Sequence, residues 1–261
     1  EGGISALRTQ RLGMHLMRGF GIVIANLAYF TSLISIPLGE ATAIFFIAPV
    51  LITALSVVML GEKVGLYRWF AVLIGLIGVM IMIQPKGDVF NAAALLPLIA
   101  ALAYALVHMM TRKMGKTEKA SAMAFYIQMN FIVVSSVIGL VCGDGKWADP
   151  FSPTLDFLFR AWLIPSWQHL LIMFGIGLLT GLGAYFISQG YRICEAGAAA
   201  PFEYVALPMA IFWSISFFGE WPDPISWLGI LFIAGAGLFI FYQESKRGSE
   251  IASGRPMPRN R

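Results

Sequence analysis

The chain has 261 residues, of which 58% belong to the apolar and aromatic set AVILMFWYC and 12% are charged, with a formal net charge of +4. A soluble domain carries about 25% charged residues, so an ordinary water-soluble fold is excluded. The basic surplus is not a nucleic-acid footprint, because every Lys/Arg cluster flanks an apolar block and none is interleaved with aromatics.

A helix that crosses a bilayer needs about 20 predominantly apolar residues. Eight such blocks are predicted, at 19–37, 41–60, 68–84, 92–110, 120–141, 167–189, 196–218 and 225–243. The first carries Asn26, Tyr29 and Leu33 at three- and four-residue spacing, which puts them on one helical face. The second opens Glu40-Ala-Thr42 and ends Leu60-Gly61-Glu62, with Thr53 and Ala48-Pro49 inside it. A glycine at such an end lets the chain turn out of the helix. Trp69 leads the third, glycine-rich block.

The fourth block holds Tyr104 and, near its cytoplasmic end, His108, which reads as a packed or interfacial histidine ahead of a proton relay; the fifth holds Tyr126, Gln128 and Asn130. The connection 142–166 carries Trp147, Trp162 and Pro150, Pro153 and Pro165, with Trp167 just after it. Tryptophans favour the headgroup level, and a short interfacial helix is expected around Leu155–Trp162. In the sixth block Gly177 and Gly181 form a small-xxx-small pair suited to helix contacts, and Tyr185 and Gln189 share a face. Arg192 follows as an interface anchor or a partner for Glu195. The seventh opens Glu195-Ala-Gly, contains Pro201, Glu203, Tyr204, Pro208 and Trp213, and ends Phe218-Gly219-Glu220; Trp227 leads the eighth.

Placing the segment before the first block in the cytoplasm puts fifteen Lys and Arg inside and three, Lys86, Lys146 and Arg160, outside. Positive residues favour the cytoplasmic side, so both chain ends are expected there. Cys142 and Cys194 then fall near opposite faces, which argues against a disulfide. No metal-ligand cluster and no GxxxxGK[ST] stretch is present, so no cofactor is expected.

The second and seventh blocks echo each other: Glu-Ala opening, internal proline, Gly-Glu ending, then a Trp-led glycine-rich block. The seventh is the fourth of a run of five, whereas the second has one block before it. A duplication of five-helix units therefore predicts two helices upstream of Glu1 that are absent here, leaving eight. Units with an odd number of spans insert in opposite directions, the inverted-repeat plan of many secondary transporters. The expected organisation is an incomplete first repeat at 1–84, a complete second repeat at 92–243 and a basic tail at 244–261.

Ala48-Pro49 with Leu60-Gly-Glu62-Lys63, the Phe218-Gly-Glu220 echo and the 5+5 layout resemble the drug/metabolite transporter superfamily, specifically proteins with paired EamA-type domains. Ala200-Pro-Phe-Glu-Tyr204 followed by Phe218-Gly-Glu-Trp-Pro222 is similar to a bacterial branch that includes S-adenosylmethionine uptake carriers. The resemblance implies a multi-pass protein of a bacterial inner membrane with a central cavity reached alternately from either side. It also implies a small organic metabolite as substrate and no enzymatic activity. An intramembrane enzyme acting on a lipid-linked substrate is the competing reading, but no HExxH, GxSxG or paired intramembrane aspartates support it.

Ionisable groups at membrane depth are costly and usually face a cavity or a partner. Glu203 is therefore the leading candidate, to bind a cationic group or a coupled proton; the plain alternative is a hydrated or hydrogen-bonded carboxylate near a helix start. Glu40 and Glu195 read as capping residues, and Glu62 and Glu220 as structural. Asn26, Tyr29, Thr42, Tyr104, Gln128, Tyr185, Tyr204 and Trp213 join Glu203 as candidate cavity lining. A homodimer is compatible with the sequence.

Overall fold

A computed structural model describes residues 9–36, 38–83, 94–219, 221 and 223–246. The regular structure of the described residues is all helix, with no strand. The elements are α1 (Leu12–Ser32), α2 (Leu38–Phe45), α3 (Ala48–Leu55) continued by a π-helical turn (Ser56–Leu60), α4 (Leu66–Ile83), α5 (Leu95–Met114), α6 (Ala120–Cys142), α7 (Pro153–Phe159), α8 (Trp167–Ile193), α9 (Ala196–Ala199), a 3₁₀ segment (Ala200–Val205), α10 (Ala206–Phe218) and α11 (Pro224–Lys246). Among the described residues, four helices are long and apolar enough to cross a membrane: α5, α6, α8 and α11. The chain is an all-α polytopic membrane protein, with α7 where an interfacial helix was expected.

The block expected at 41–60 is interrupted between Phe45 and Ala48, and the block at 196–218 is broken into α9, the 3₁₀ segment and α10. Proline explains both breaks. Pro49 lies in the first turn of α3 and Pro201 in the first turn of the 3₁₀ segment. A proline has no N–H to return to the preceding turn. Both breaks sit inside the bundle, where irregular backbone is tolerated only if it is buried in protein or lines a cavity.

In lipid, helices associate through close packing rather than through apolar burial. The most extensive helix pairs are α4 with α11 and α1 with α5. In the first, a Cβ added at Gly78 would lie 2.8 Å from the Gly229 carbonyl oxygen, and one at Gly229 would lie 2.6 Å from the Gly78 carbonyl. Val79, Tyr204, Leu207 and Ile233 are buried beside this crossing. In the second, Gly21 faces Val107 so closely that a Cβ would meet its methyl at 2.7 Å. Gly177, by contrast, meets nothing within 4 Å and Gly181 only the Gln128 amide nitrogen at 3.7 Å. Among the described residues, the small-xxx-small pair of α8 therefore is not buried in a close helix crossing. Most of the α8 surface is exposed and apolar, as lipid contact requires.

Arg18, one residue before the first apolar block, is buried at 1% exposure. Its guanidinium donates to the Met123 carbonyl at 3.1 Å and to the Ser188 hydroxyl at 2.9 Å, tying α1 to α6 and α8. Beside it, His15 Nε2 and Glu118 Oε2 are 3.2 Å apart.

Both Gly-Glu motifs behave as their glycines require. Gly61 and Gly219 each close a helix in the left-handed conformation, at φ 68°, which glycine adopts without Cβ strain.

Candidate functional site

The site forms where the two broken helices meet α5 and α8. The 3₁₀ segment carries Glu203 into the bundle, and its two carboxyl oxygens are held by different helices. The Tyr104 hydroxyl of α5 donates to Oε2 at 3.0 Å, and the Tyr191 hydroxyl of α8 donates to Oε1 at 2.8 Å. Two O–H donors on one carboxyl leave acceptor capacity on both oxygens, because each oxygen offers two lone-pair sites.

Two cavities adjoin this cluster. The first, of about 360 Å³, is lined by Asn26, Tyr29, Phe30, Phe45, Phe46 and Tyr104, together with Ile22, Ala25 and Thr42. The second, of about 400 Å³, has Tyr191 and Glu203 in its wall among Ile187, Cys194, Phe202 and small residues of α8 and α9. The Tyr104–Glu203 hydrogen bond thus joins a wall residue of one cavity to a wall residue of the other. Both volumes fall in the range of about 300–1,000 Å³ that small-molecule sites occupy.

The aromatic lining of the first cavity is mutually packed. Phe45 meets Tyr29 and Tyr104 edge-on, each at 5.4 Å between centroids. Tyr29 and Thr42 hydroxyls are 2.8 Å apart. Thr42 donates its own proton to the Leu38 carbonyl at 2.6 Å, so Tyr29 is the donor in this pair. Asn26 donates to the Ile22 carbonyl of its own helix at 2.9 Å.

Five of the nine candidates are therefore brought together: Asn26, Tyr29, Thr42 and Tyr104 around one cavity, and Glu203 bonded to the last of them. Tyr204 is placed differently. It is fully buried, stacked on Phe46 at 6.0 Å and packed against Gly75, and it lines neither cavity. Gln128 faces Gly181 of α8, and Tyr185 packs edge-on to Phe186 at 5.4 Å; neither lines the two cavities. The Trp213 and Glu40 side chains and all of Glu220 lie outside the described residues. Tyr191, Phe45 and Phe46 were not among the sequence candidates. Tyr191 falls just past the predicted end of its block, and phenylalanines carry no polar mark in an apolar span.

Glu195 occupies the N-cap position of α9, but its side chain makes no capping bond. It pairs with Arg68 at 2.6 Å. The cap comes from Glu62, whose Oε1 accepts the Ala196 N–H and whose Oε2 accepts the Gly197 N–H, both at 3.1 Å. Arg112 Nε reaches the same Glu62 Oε1 at 3.3 Å. Arg192 does not meet Glu195; its Nε donates to the Gly115 carbonyl at 3.1 Å. Two ion pairs thus join the chain before residue 84 to the chain after residue 94 beside the segment that carries Glu203.

Comparison with known proteins agrees with this architecture. The EamA-like transporter family model matches residues 8–84 and 91–242. A riboflavin transporter of Vibrio cholerae is 31% identical over 243 residues, covering 93% of this chain and 76% of that protein. A riboflavin transporter of Rhizobium johnstonii is 30% identical, covering 94% and 75%. An S-adenosylmethionine uptake transporter of Rickettsia prowazekii is 27% identical, covering 94% and 76%. A solved crystal structure superposes with a TM-score of 0.75 at 17% identity, over 95% of this chain and 82% of that one, which supports the fold. The chain is a multi-pass membrane protein of the EamA-like transporter family, within the drug/metabolite transporter superfamily, and not an enzyme.

Proposed function

We propose that the protein is a secondary transporter of a small organic metabolite built on a flat nitrogen heterocycle that bears a hydroxylated chain or sugar. The observation that carries this reading is the first cavity, where Asn26, Tyr29, Thr42 and Tyr104 converge with Phe30, Phe45 and Phe46 beside the Glu203 carboxyl. Aromatic walls stack on flat rings, and the hydroxyls and amide among them can read a ring's polar edge. Riboflavin and S-adenosylmethionine, named for the relatives, share this chemistry: an isoalloxazine with a ribityl chain, and an adenine with a ribose. Glu203 accepts hydroxyl or N–H donors of the substrate, or balances a positive centre.

Transport proceeds by alternating access between two inverted repeats whose midpoints are the proline breaks near Pro49 and Pro201. Broken helices at a repeat interface are a recurring place for transporter sites. Two ion pairs, Glu62–Arg112 and Arg68–Glu195, join the repeats on the side rich in Lys and Arg, which supports a state closed toward the cytoplasm. A proton on Glu203 is the coupling species.

The test is a thermal-shift panel on the purified protein, with riboflavin, S-adenosylmethionine, adenosine, free amino acids and lipophilic cations. A ligand at 100 times its Kd stabilises the folded state by about 2.7 kcal/mol. Stabilisation by fused-ring compounds that vanishes in Glu203→Gln is the expected result. Stabilisation by amino acids or simple cations alone would remove the ring class. A ring compound whose shift survives both Glu203→Gln and Tyr29→Phe would move the site elsewhere.

A further inference from the structure

A third ring lies between the two tyrosines that hold Glu203. His108 stands one turn beyond Tyr104 on α5. Its imidazole centroid is 4.2 Å from that of Tyr104, at 70°, and 4.1 Å from that of Tyr191, at 30°. The residue is 3% exposed, and among the described residues neither ring nitrogen has a hydrogen-bond partner.

A neutral imidazole carries one donor and one acceptor, and burying both unmet is costly. Hydrogen bonding therefore does not account for a histidine at this position. Ring contact does. The two rings it touches belong to different helices, and their hydroxyls end on opposite oxygens of one carboxyl, Tyr104 on Oε2 and Tyr191 on Oε1. A flat ring between them sets the separation of α5 from α8 at this level.

We propose that His108 is a positioning residue for the Glu203 carboxyl: its ring spaces Tyr104 and Tyr191 so that both hydroxyls reach Glu203, and its nitrogens play no part. The proposal rests on the reading of Glu203 as the substrate-facing group. Preorganising a site raises affinity by removing the cost of ordering it on binding. Loss of the spacer therefore raises KM and leaves the maximal rate nearly unchanged. A proton relay or a substrate hydrogen bond at His108 needs a ring nitrogen, so either predicts loss of function in His108→Phe, where the spacer predicts none.

The experiment compares His108→Phe, which keeps a flat ring without nitrogens, with His108→Gln, which keeps polar atoms without the ring. Uptake of labelled riboflavin and S-adenosylmethionine is measured in proteoliposomes across pH. We expect His108→Phe to retain KM within about twofold and an unshifted pH profile, and His108→Gln to raise KM by about tenfold, the worth of one ordinary hydrogen bond. In a Tyr104→Phe/Tyr191→Phe background, His108→Gln then adds about twofold or less, because both hydroxyls it positions are gone. The tyrosine near-ultraviolet difference spectrum reads the same geometry without substrate: His108→Gln reproduces the change given by Glu203→Gln, and His108→Phe does not. A His108→Phe variant that loses uptake or shifts the pH profile overturns the proposal. So does a His108→Gln effect of equal size in both backgrounds, or a spectrum unmoved by His108→Gln. If Glu203→Gln leaves uptake intact, the substrate-facing reading fails instead, and the spectrum alone decides whether His108 spaces the tyrosines.

Discussion

Glu62 caps a helix that begins 134 residues later in the sequence: its Oε2 accepts the Gly197 N–H at 3.1 Å. The same carboxylate accepts from Ala196 and pairs with Arg112, with both side chains about one-tenth exposed. Removing one partner of a buried ion pair costs about 3–5 kcal/mol. Arg112 keeps its bond to the Arg192 carbonyl, so Glu62→Ala is expected at the low end, about 3 kcal/mol. Glu62→Gln retains an acceptor for one backbone N–H and recovers part of this. Unfolding in detergent against a denaturant series measures both; equal stability of wild type and Glu62→Ala would refute the cap.

Removing the hydroxyl of Tyr104 or Tyr191 leaves one oxygen of Glu203 without its donor. Hydrogen bonds to charged groups contribute about 1.5–3 kcal/mol. Tyr104→Phe and Tyr191→Phe should each destabilise the protein by about that amount, and the two losses should not add, because both act on one carboxyl. In a Glu203→Leu background, where both hydroxyls have lost that acceptor, neither substitution should destabilise the protein further. The double-mutant cycle is the measurement.

Gly75 and Gly190 predict opposite responses to alanine. A Cβ at Gly75 would enter the ring of Tyr204, whereas one at Gly190 meets nothing within 4 Å. Overpacking costs about 1–3 kcal/mol, and relieving a mid-helix glycine returns about 0.5–1 kcal/mol. Gly75→Ala should lower the melting temperature and Gly190→Ala should raise it. The opposite signs would show that Tyr204 is not seated against α4.

Gly61 closes its helix at φ 68°. A side chain in this left-handed region costs about 1–2 kcal/mol, less for asparagine. The expected order of stability is Gly61 above Gly61→Asn above Gly61→Ala, and no difference between the two variants would mean that the turn relaxes. Gly219 shares the conformation at the matching turn and should follow the same order.

Apolar block length and basic flanks made the membrane class legible in the sequence, and the glycines of the two Gly-Glu turns announced their geometry. The candidate cavity was legible where residues share a face within one helix, as Asn26 and Tyr29 do. It was not legible where the backbone departs from a regular helix. Tyr204 follows Glu203 directly, but a 3₁₀ segment turns about 120° per residue, and the two side chains go to different places: one to the site, the other to the α4–α11 core. The Glu62 cap was invisible for another reason. Capping rules look three or four residues along the chain, and this donor set lies 134 and 135 residues away.

Pro49 has one more consequence. It brings no N–H to the carbonyl four residues earlier, which belongs to Phe45, a wall residue of the first cavity. That oxygen is left out of the helical hydrogen bond that residue 49 would otherwise donate. Alanine scanning of the cavity side chains would leave that oxygen in place, so any contact it makes would go undetected by such a scan. Only a change that lets the helix run through, such as Pro49→Ala, would erase it.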